Sequence, residues 1–282
     1  MGSRITRTSL VVAGLMGVSG IAPVSAQLPT LSEKEWLGYF VGVGTKTFRF
    51  GITSEGDTSI RILGRTGEPV AKRLTIVVTF QVEEILPDGK TVVHLIDPKT
   101  LETTQPATSK PVKTVFRGKV KGDAGFEVTV DETRGGISLG GRLLTPGTLT
   151  QNPLRFSIAV KIPSAYEGLK RGADKKEIKA FEEKTKSDRV QVTWADKKRP
   201  RLSTTESVDA SSKEINGTGI VGADVEFSSY QEKKLGFAAS TNSLMTLSNK
   251  QAGPLQDGFV ITWVADSAKD PEGMARLNIE IR

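Results

Sequence analysis

The stretch "PLRFSIAVKIP", residues 153–163, places Leu154, Phe156, Ile158, Val160 and Ile162 at every second position, with Arg155, Ser157, Ala159 and Lys161 between them. A period of two is the repeat of a strand whose successive side chains point to opposite faces, so one face of this segment is core and the other is wet. The same alternation runs through Leu74, Ile76, Val78, Phe80 and Val82, through Phe48, Phe50 and Ile52, through Ile60 and Ile62, and through Phe126, Val128 and Val130. Half-buried strands of this kind belong to antiparallel sheets. Pro87-Asp88-Gly89-Lys90, Ser54-Glu55-Gly56-Asp57 and Lys121-Gly122-Asp123-Ala124-Gly125 fall between such runs and read as hairpin turns. The Thr- and Pro-rich "DPKTLETTQPATSKP", residues 97–111, reads as a surface loop.

Helix signals occur twice. Ser32 with Glu35 has the capping-box spacing ahead of Trp36 and Leu37, and predicts a short helix. "ADKKEIKAFEEKTKSD" puts Ile178 and Phe181 on one face and Glu182 with Lys186 at the favourable i, i+4 spacing, which predicts a helix lying on something larger. Beyond it, "DRVQVTW" (188–194) and "DGFVITW" (257–263) echo each other. In both, the Trp shares its face with apolar residues two and four positions earlier, so Trp194 and Trp263 are expected in the core. The expected fold is mainly β, antiparallel and sandwich-like: a β unit over 27–162, a helical connector over 163–187 and a second β unit over 188–282, with one larger β domain carrying a helical insertion as the rival. An outer-membrane barrel fits less well, because charges and glycines interrupt the band that would face lipid.

Residues 1–26 read as a signal peptide: Arg4 and Arg7 precede an apolar run from Leu10 to Ala22, and Val24-Ser25-Ala26 offers a small-residue cleavage site after Ala26. The expected location is the periplasm or the exterior, with no transmembrane segment after cleavage. The chain has no cysteine, so disulfides and a cysteine-linked lipid anchor are excluded and the core alone must hold the fold. Lys and Arg number 39 against 32 Asp and Glu, a formal net charge of +7, and loss of Arg4 and Arg7 would leave +5. That excess is mild and spread out, which suits an anionic envelope polymer better than nucleic acid. Asn216-Gly217-Thr218 matches a glycosylation sequon and reads as a chance match.

Several chemical motifs fail on inspection. Gly136-Ile137-Ser138-Leu139-Gly140 fits the nucleophile-elbow pattern, but no histidine follows it, the glycine- and proline-rich residues after it do not start a helix, and no S-x-x-K dyad occurs. It is expected instead to be a strand, with Gly135-Gly136 as a turn and Gly140-Gly141 as a bulge or a close-packing point. "GVGTKT" (42–47) lacks the Gly-Lys pair of a phosphate loop, and "DSAKDPEG" (266–273) has the wrong spacing for a calcium loop. The single histidine, His94, lies in a strand and is expected to be a satisfied structural residue; with no Cys, no metal or other cofactor is expected.

Two features remain. Carboxylate catalysis needs only two acids at the right separation, and Glu83-Glu84, Asp131-Glu132 and Asp224 with Glu226 are equal candidates. The basic cluster Lys197, Lys198, Arg199 and Arg201 reads either as a solvated hairpin loop or as a contact for an anionic polymer. The leading expectation is an exported, non-catalytic β protein that binds or scaffolds, with an anionic envelope polymer or another envelope protein as partner. The alternatives are a carboxylate-dependent polysaccharide hydrolase and assembly through exposed strand edges.

Overall fold

The computed structural model describes residues 27–163, 169, 172–205, 212–231, 233–249 and 255–282; the proposed signal peptide, 1–26, and part of the expected connector lie outside them. In chain order the first strands are β1 (Tyr39–Gly44), β2 (Phe48–Thr53), β3 (Thr58–Ile62), β4 (Ile76–Ile85), β5 (Thr91–Glu102), β6 (Thr114–Val120), β7 (Gly125–Thr133), β8 (Gly136–Thr145) and β9 (Leu154–Pro163). Helix α1 (Lys175–Thr185) leads to β10 (Arg189–Trp194) and β11 (Arg201–Leu202), and one helical turn, α2 (Lys213–Asn216), precedes β12 (Ile220–Glu226). β13 (Lys234–Ala239), β14 (Ser243–Ser248), β15 (Gly258–Ala265) and β16 (Leu277–Ile281) complete the chain.

All of these strands belong to one large, mainly antiparallel sheet, folded over to give the expected sandwich-like arrangement. One layer runs β1-β2-β3-β4-β9-β15-β14, and the other β5-β6-β7-β8-β16-β13-β12-β10-β11. The layers join at the β4–β5 hairpin on one margin and at a lone Ile220–Met245 pairing between β12 and β14 on the other. β4 gives one edge to β9 along Val77–Glu84, while its other edge takes β3 at Ile76–Val78 and then β5 at Gln81–Ile85. Strands from the two expected units pair across the division between them: β9 with β15, and β8 with β16.

The alternating residues fill the space between the layers. Phe156, Ile158, Val160 and Ile162 of β9 are buried, as are Phe80 and Val82 of β4 and Phe126, Val128 and Val130 of β7, in one hydrophobic cluster that includes residues of both expected units. Phe80 meets Phe116 edge-on at 5.8 Å, and Phe126 stacks on Phe156 at 6.1 Å, so aromatic pairs span the two layers. The layers press close at Gly141: a Cβ there would lie 2.4 Å from the Phe156 ring of the facing layer and 2.6 Å from the Glu127 carbonyl oxygen of the neighbouring strand. Gly140-Gly141 is therefore the close-packing point, and Gly135, at φ 80°, is the turn. Trp263 is fully buried, and Trp194 is partly buried against the core.

Three local expectations change. The segment after Ser32 is a 3-10 turn at Lys34–Trp36 whose cap, Glu33, makes no side-chain bond. Tertiary packing decides it, because Trp36 folds back over Gly42, where a Cβ would sit 2.3 Å from the indole. The expected loop 97–111 is strand as far as Glu102, and its side chains then continue the ladder. Thr100 Oγ1 accepts from Lys119 N–H at 2.8 Å, Gln105 Oε1 accepts from Val115 N–H at 2.7 Å, and Thr103 Oγ1 donates to the Val115 carbonyl at 2.6 Å. Hydroxyls and an amide thus stand in for main-chain partners along β6. Helix α1 forms where expected, opened by a full capping box between Asp174 and Glu177, but Lys186 pairs with Glu183 at 3.4 Å.

The two echo segments lie in opposite layers and begin at a shared contact. Asp188, before β10, accepts from the Ser228 N–H at 2.7 Å and from Nε2 of Gln256, just before β15, at 2.5 Å. Among the described residues no helix is long and apolar enough to cross a membrane.

Candidate functional site

The basic cluster occupies the β10–β11 hairpin, at the free end of the second layer. Lys197 takes a left-handed conformation at the turn, φ 68°, with its N–H donating to the Trp194 carbonyl at 2.9 Å and the Trp194 N–H donating to the Lys198 carbonyl at 2.8 Å. The base of the hairpin is rigid: the Trp194 indole donates to the Ile215 carbonyl at 3.0 Å and lies over Gly217, where any Cβ would clash. Two of the four cations are paired. Lys198 sits 3.0 Å from Asp196, whose carboxyl it holds below the usual carboxylate range, and Arg199 reaches Asp224 at 3.4 Å and Gln191 at 3.3 Å. Lys197 and Arg201 are exposed and have no ion-pair partner among the described residues.

The sequence-level carboxylate pairs are not brought together as catalytic pairs. Glu83 and Glu84 are neighbours on one strand and point to opposite faces. Glu83 is buried and saturated: Oε1 accepts from Ser157 Oγ at 2.8 Å and Gln81 Nε2 at 3.2 Å, and Oε2 accepts from Arg155 Nε at 2.8 Å. Glu84 accepts from Asn152 Nδ2 at 2.6 Å and meets His94 Nε2 at 2.9 Å; these two bonds hold its carboxyl below the usual range, and they give His94 its structural partner. Asp131 accepts from the Lys113 N–H at 2.5 Å, while Glu132 points away from it. Asp224 and Glu226 do share a face, but Lys234 lies between them, 3.5 Å from one and 3.2 Å from the other.

A different pair of acids flanks a real hollow. Glu102, Arg117 and Glu127 lie in one register row across β5, β6 and β7. Together with Thr103, Thr104 and Gln105 they line a cavity of about 430 Å³. Glu127 is held by Arg117 at 2.7 Å and Arg142 at 3.1 Å. The site was hidden in the sequence because Glu102 fell in a stretch that reads as loop, and only the β5–β6 register puts it beside Arg117. Ser138, by contrast, lies in mid-strand with no helix after it, 7% exposed between its register partners Asp131 and Asn278. Among the described residues no group of three or more His, Cys, Asp or Glu is placed to hold a metal ion.

In comparisons by sequence, no protein-family model matches the chain, and no curated protein matches it either.

Proposed function

We propose that this is an exported, non-catalytic β protein that binds an anionic polymer in the cell envelope or outside the cell, through the β10–β11 hairpin. The observation that carries the reading is the rigid hairpin base, which presents Lys197 and Arg201 to solvent with no acidic partner among the described residues, next to the paired Lys198 and Arg199. A phosphate- or carboxylate-bearing polymer meets unneutralised charge there, at little cost in ordering the hairpin itself. The test is binding of the chain from Gln27 to Arg282 to an array of anionic envelope glycans. Affinity is expected to fall about 3- to 10-fold in the double variant Lys197→Ala, Arg201→Ala and to weaken with added salt. Unchanged affinity in that variant overturns the hairpin assignment.

A second reading draws on the Glu102–Glu127 hollow. Strand spacing sets the stems of the two acids about 10 Å apart, near the roughly 6.5–9.5 Å carboxyl separation of an inverting glycosidase, but Arg117 lies between them and, with Arg142, holds both oxygens of Glu127, so a substrate must displace an arginine before Glu127 can act. Release of reducing ends from a polysaccharide, abolished by Glu127→Gln, would establish this reading in place of the first.

A further inference from the structure

Strand β5 changes partner part-way along. Thr91–Leu95 pairs only with β4, in an unbroken register from Leu95 opposite Gln81 to Thr91 opposite Ile85, and from Ile96 onward the strand pairs only with β6. Since β9 takes the other edge of β4 as far as Glu84, Thr91–Leu95 is the outermost strand at this end of the first layer. Alternate residues along it turn their main-chain N–H and C=O outward, and among the described residues no strand is in register with that side. The remaining edges of the sheet are treated differently. β1 is covered where the Gly42 N–H donates to the Thr108 carbonyl at 3.1 Å, the Thr108 N–H to the Phe40 carbonyl at 2.9 Å and the Leu31 N–H to the Tyr39 carbonyl at 2.7 Å. β14 meets β12 at Met245, and its Leu247 N–H donates to Asn216 Oδ1 at 2.8 Å. β11 is two residues long and includes Arg201. Thr91–Leu95 has no lysine, arginine, proline or bulge, the devices that keep an edge from pairing. It also exposes apolar side chains on both faces: Val93 at 40% and Leu95 at 59% on one, Val92 at 38% on the other.

We infer that a second copy of the chain joins at this edge, its own Thr91–Leu95 pairing antiparallel about a two-fold axis so that the two first layers become one continuous sheet. A row of unpaired main-chain donors and acceptors is matched by another strand, and the sequence of this strand fits its own reverse. Directly opposed residues of an antiparallel pair share one bonding state, so a strand paired with its copy must centre on a residue. Centred on Val92, the pairing sets His94 against Lys90; centred on His94, it sets imidazole against imidazole. Centred on Val93, it sets Val93 against its copy, Val92 against His94 and Thr91 against Leu95, with no like charges opposed. At each end that register brings the exposed Lys90 of one copy beside the exposed Asp97 of the other, so opposite charges close both ends of the contact. The inference stands apart from the polymer reading, since β10–β11 takes no part in it.

The experiment is sedimentation equilibrium on the chain from Gln27 to Arg282. Contact along one short edge is small, so the dimer is expected to be half-formed on the order of 10 to 100 µM. Val93→Lys, at an exposed position of the single copy, opposes two ammonium groups across the axis and should weaken the dimer at least about 10-fold. Lys90→Glu, which sets like charges at both ends, should weaken it about 3-fold and recover in about 1 M salt. Val77→Lys, at a position 44% exposed on β4 but away from the edge, should leave it unchanged. Cysteine placement reads the register without those variants: the chain has no cysteine, so Val93→Cys should form a disulfide with its copy on mild oxidation. Thr91→Cys should do so only when mixed with Leu95→Cys, because the two copies of residue 91 lie about 14 Å apart along the strands. A chain that stays monomeric at about 1 mM overturns the inference and leaves the edge to a strand of a different protein. A dimer that survives Val93→Lys and is lost on Val77→Lys overturns it too, as does a Thr91→Cys disulfide that forms as readily without Leu95→Cys.

Discussion

Glu83 on the outer face of the first layer and Asp224 on the outer face of the second occupy equivalent positions: each is a polar residue in an alternating strand, and each is paired with a cation. They differ in burial. The Glu83 side chain is 5% exposed and accepts from Arg155, Ser157 and Gln81, whereas Asp224 is 25% exposed and shares loose contacts of about 3.5 Å with Arg199 and Lys234. The neighbours make the difference, since buried Ser157 and Gln81 donate to Glu83 while the long, partly exposed Arg199 and Lys234 surround Asp224. One face keeps a single buried carboxylate with its donors around it, and the other keeps a wet network.

If burial is what separates the two faces, stability should fall in a graded order when the acids are removed. Glu83→Ala should cost most, about 2 to 3 kcal/mol, because it leaves the buried donors of Ser157 and Gln81 without their acceptor, while Arg155, 38% exposed, turns to water; urea unfolding reads this directly, and a loss below about 1 kcal/mol would erase the distinction. Glu127→Ala, whose side chain is 14% exposed and bonded to two arginines, should cost about 1.5 kcal/mol. Tyr230 tests how the layers are tied together. It follows β12 in the second layer, is fully buried, and donates to the Pro163 carbonyl of β9 in the first at 3.4 Å. Burial pushes its hydroxyl well above the usual tyrosine range, so the folded chain keeps a proton that the unfolded chain releases. Stability should therefore be full below about pH 10 and fall by up to about 1.4 kcal/mol per pH unit above it, a slope that Tyr230→Phe removes. Asp224→Ala should cost least, under about 1 kcal/mol, and the effect should vanish in high salt.

The same contrast shows how much could be read in advance. Alternation in "PLRFSIAVKIP" marks which side chains of β9 enter the core and which stay outside, and the buried Phe156, Ile158, Val160 and Ile162 agree with it. The missing histidine and the glycines around Ser138 were enough to turn an apparent nucleophile elbow into a strand. The side-chain ladder of Thr100, Thr103 and Gln105 was not legible, because threonine and glutamine in a Pro-bounded stretch have the composition of a loop whether or not their side chains replace main-chain bonds. Nor was the Glu102–Glu127 hollow, since it depends on a bulged register between β5 and β6.

Strand identity, the inward set of each strand, the absence of disulfide cross-links and the position of the basic hairpin follow from the sequence by itself, because each depends on residues a few positions apart. Pairing partners do not. β9 lies between β4 and β15, and β8 beside β16, through contacts that join residues from opposite ends of the chain, and no local pattern encodes them. Those pairings place Thr79, Ala159, Thr262 and Thr246 in one uncharged row where the sequence shows only scattered small residues. The period of a strand is set by its own backbone, but its neighbours are chosen by the fit of a whole core, and for that reason only the tertiary structure decides which surface this protein offers.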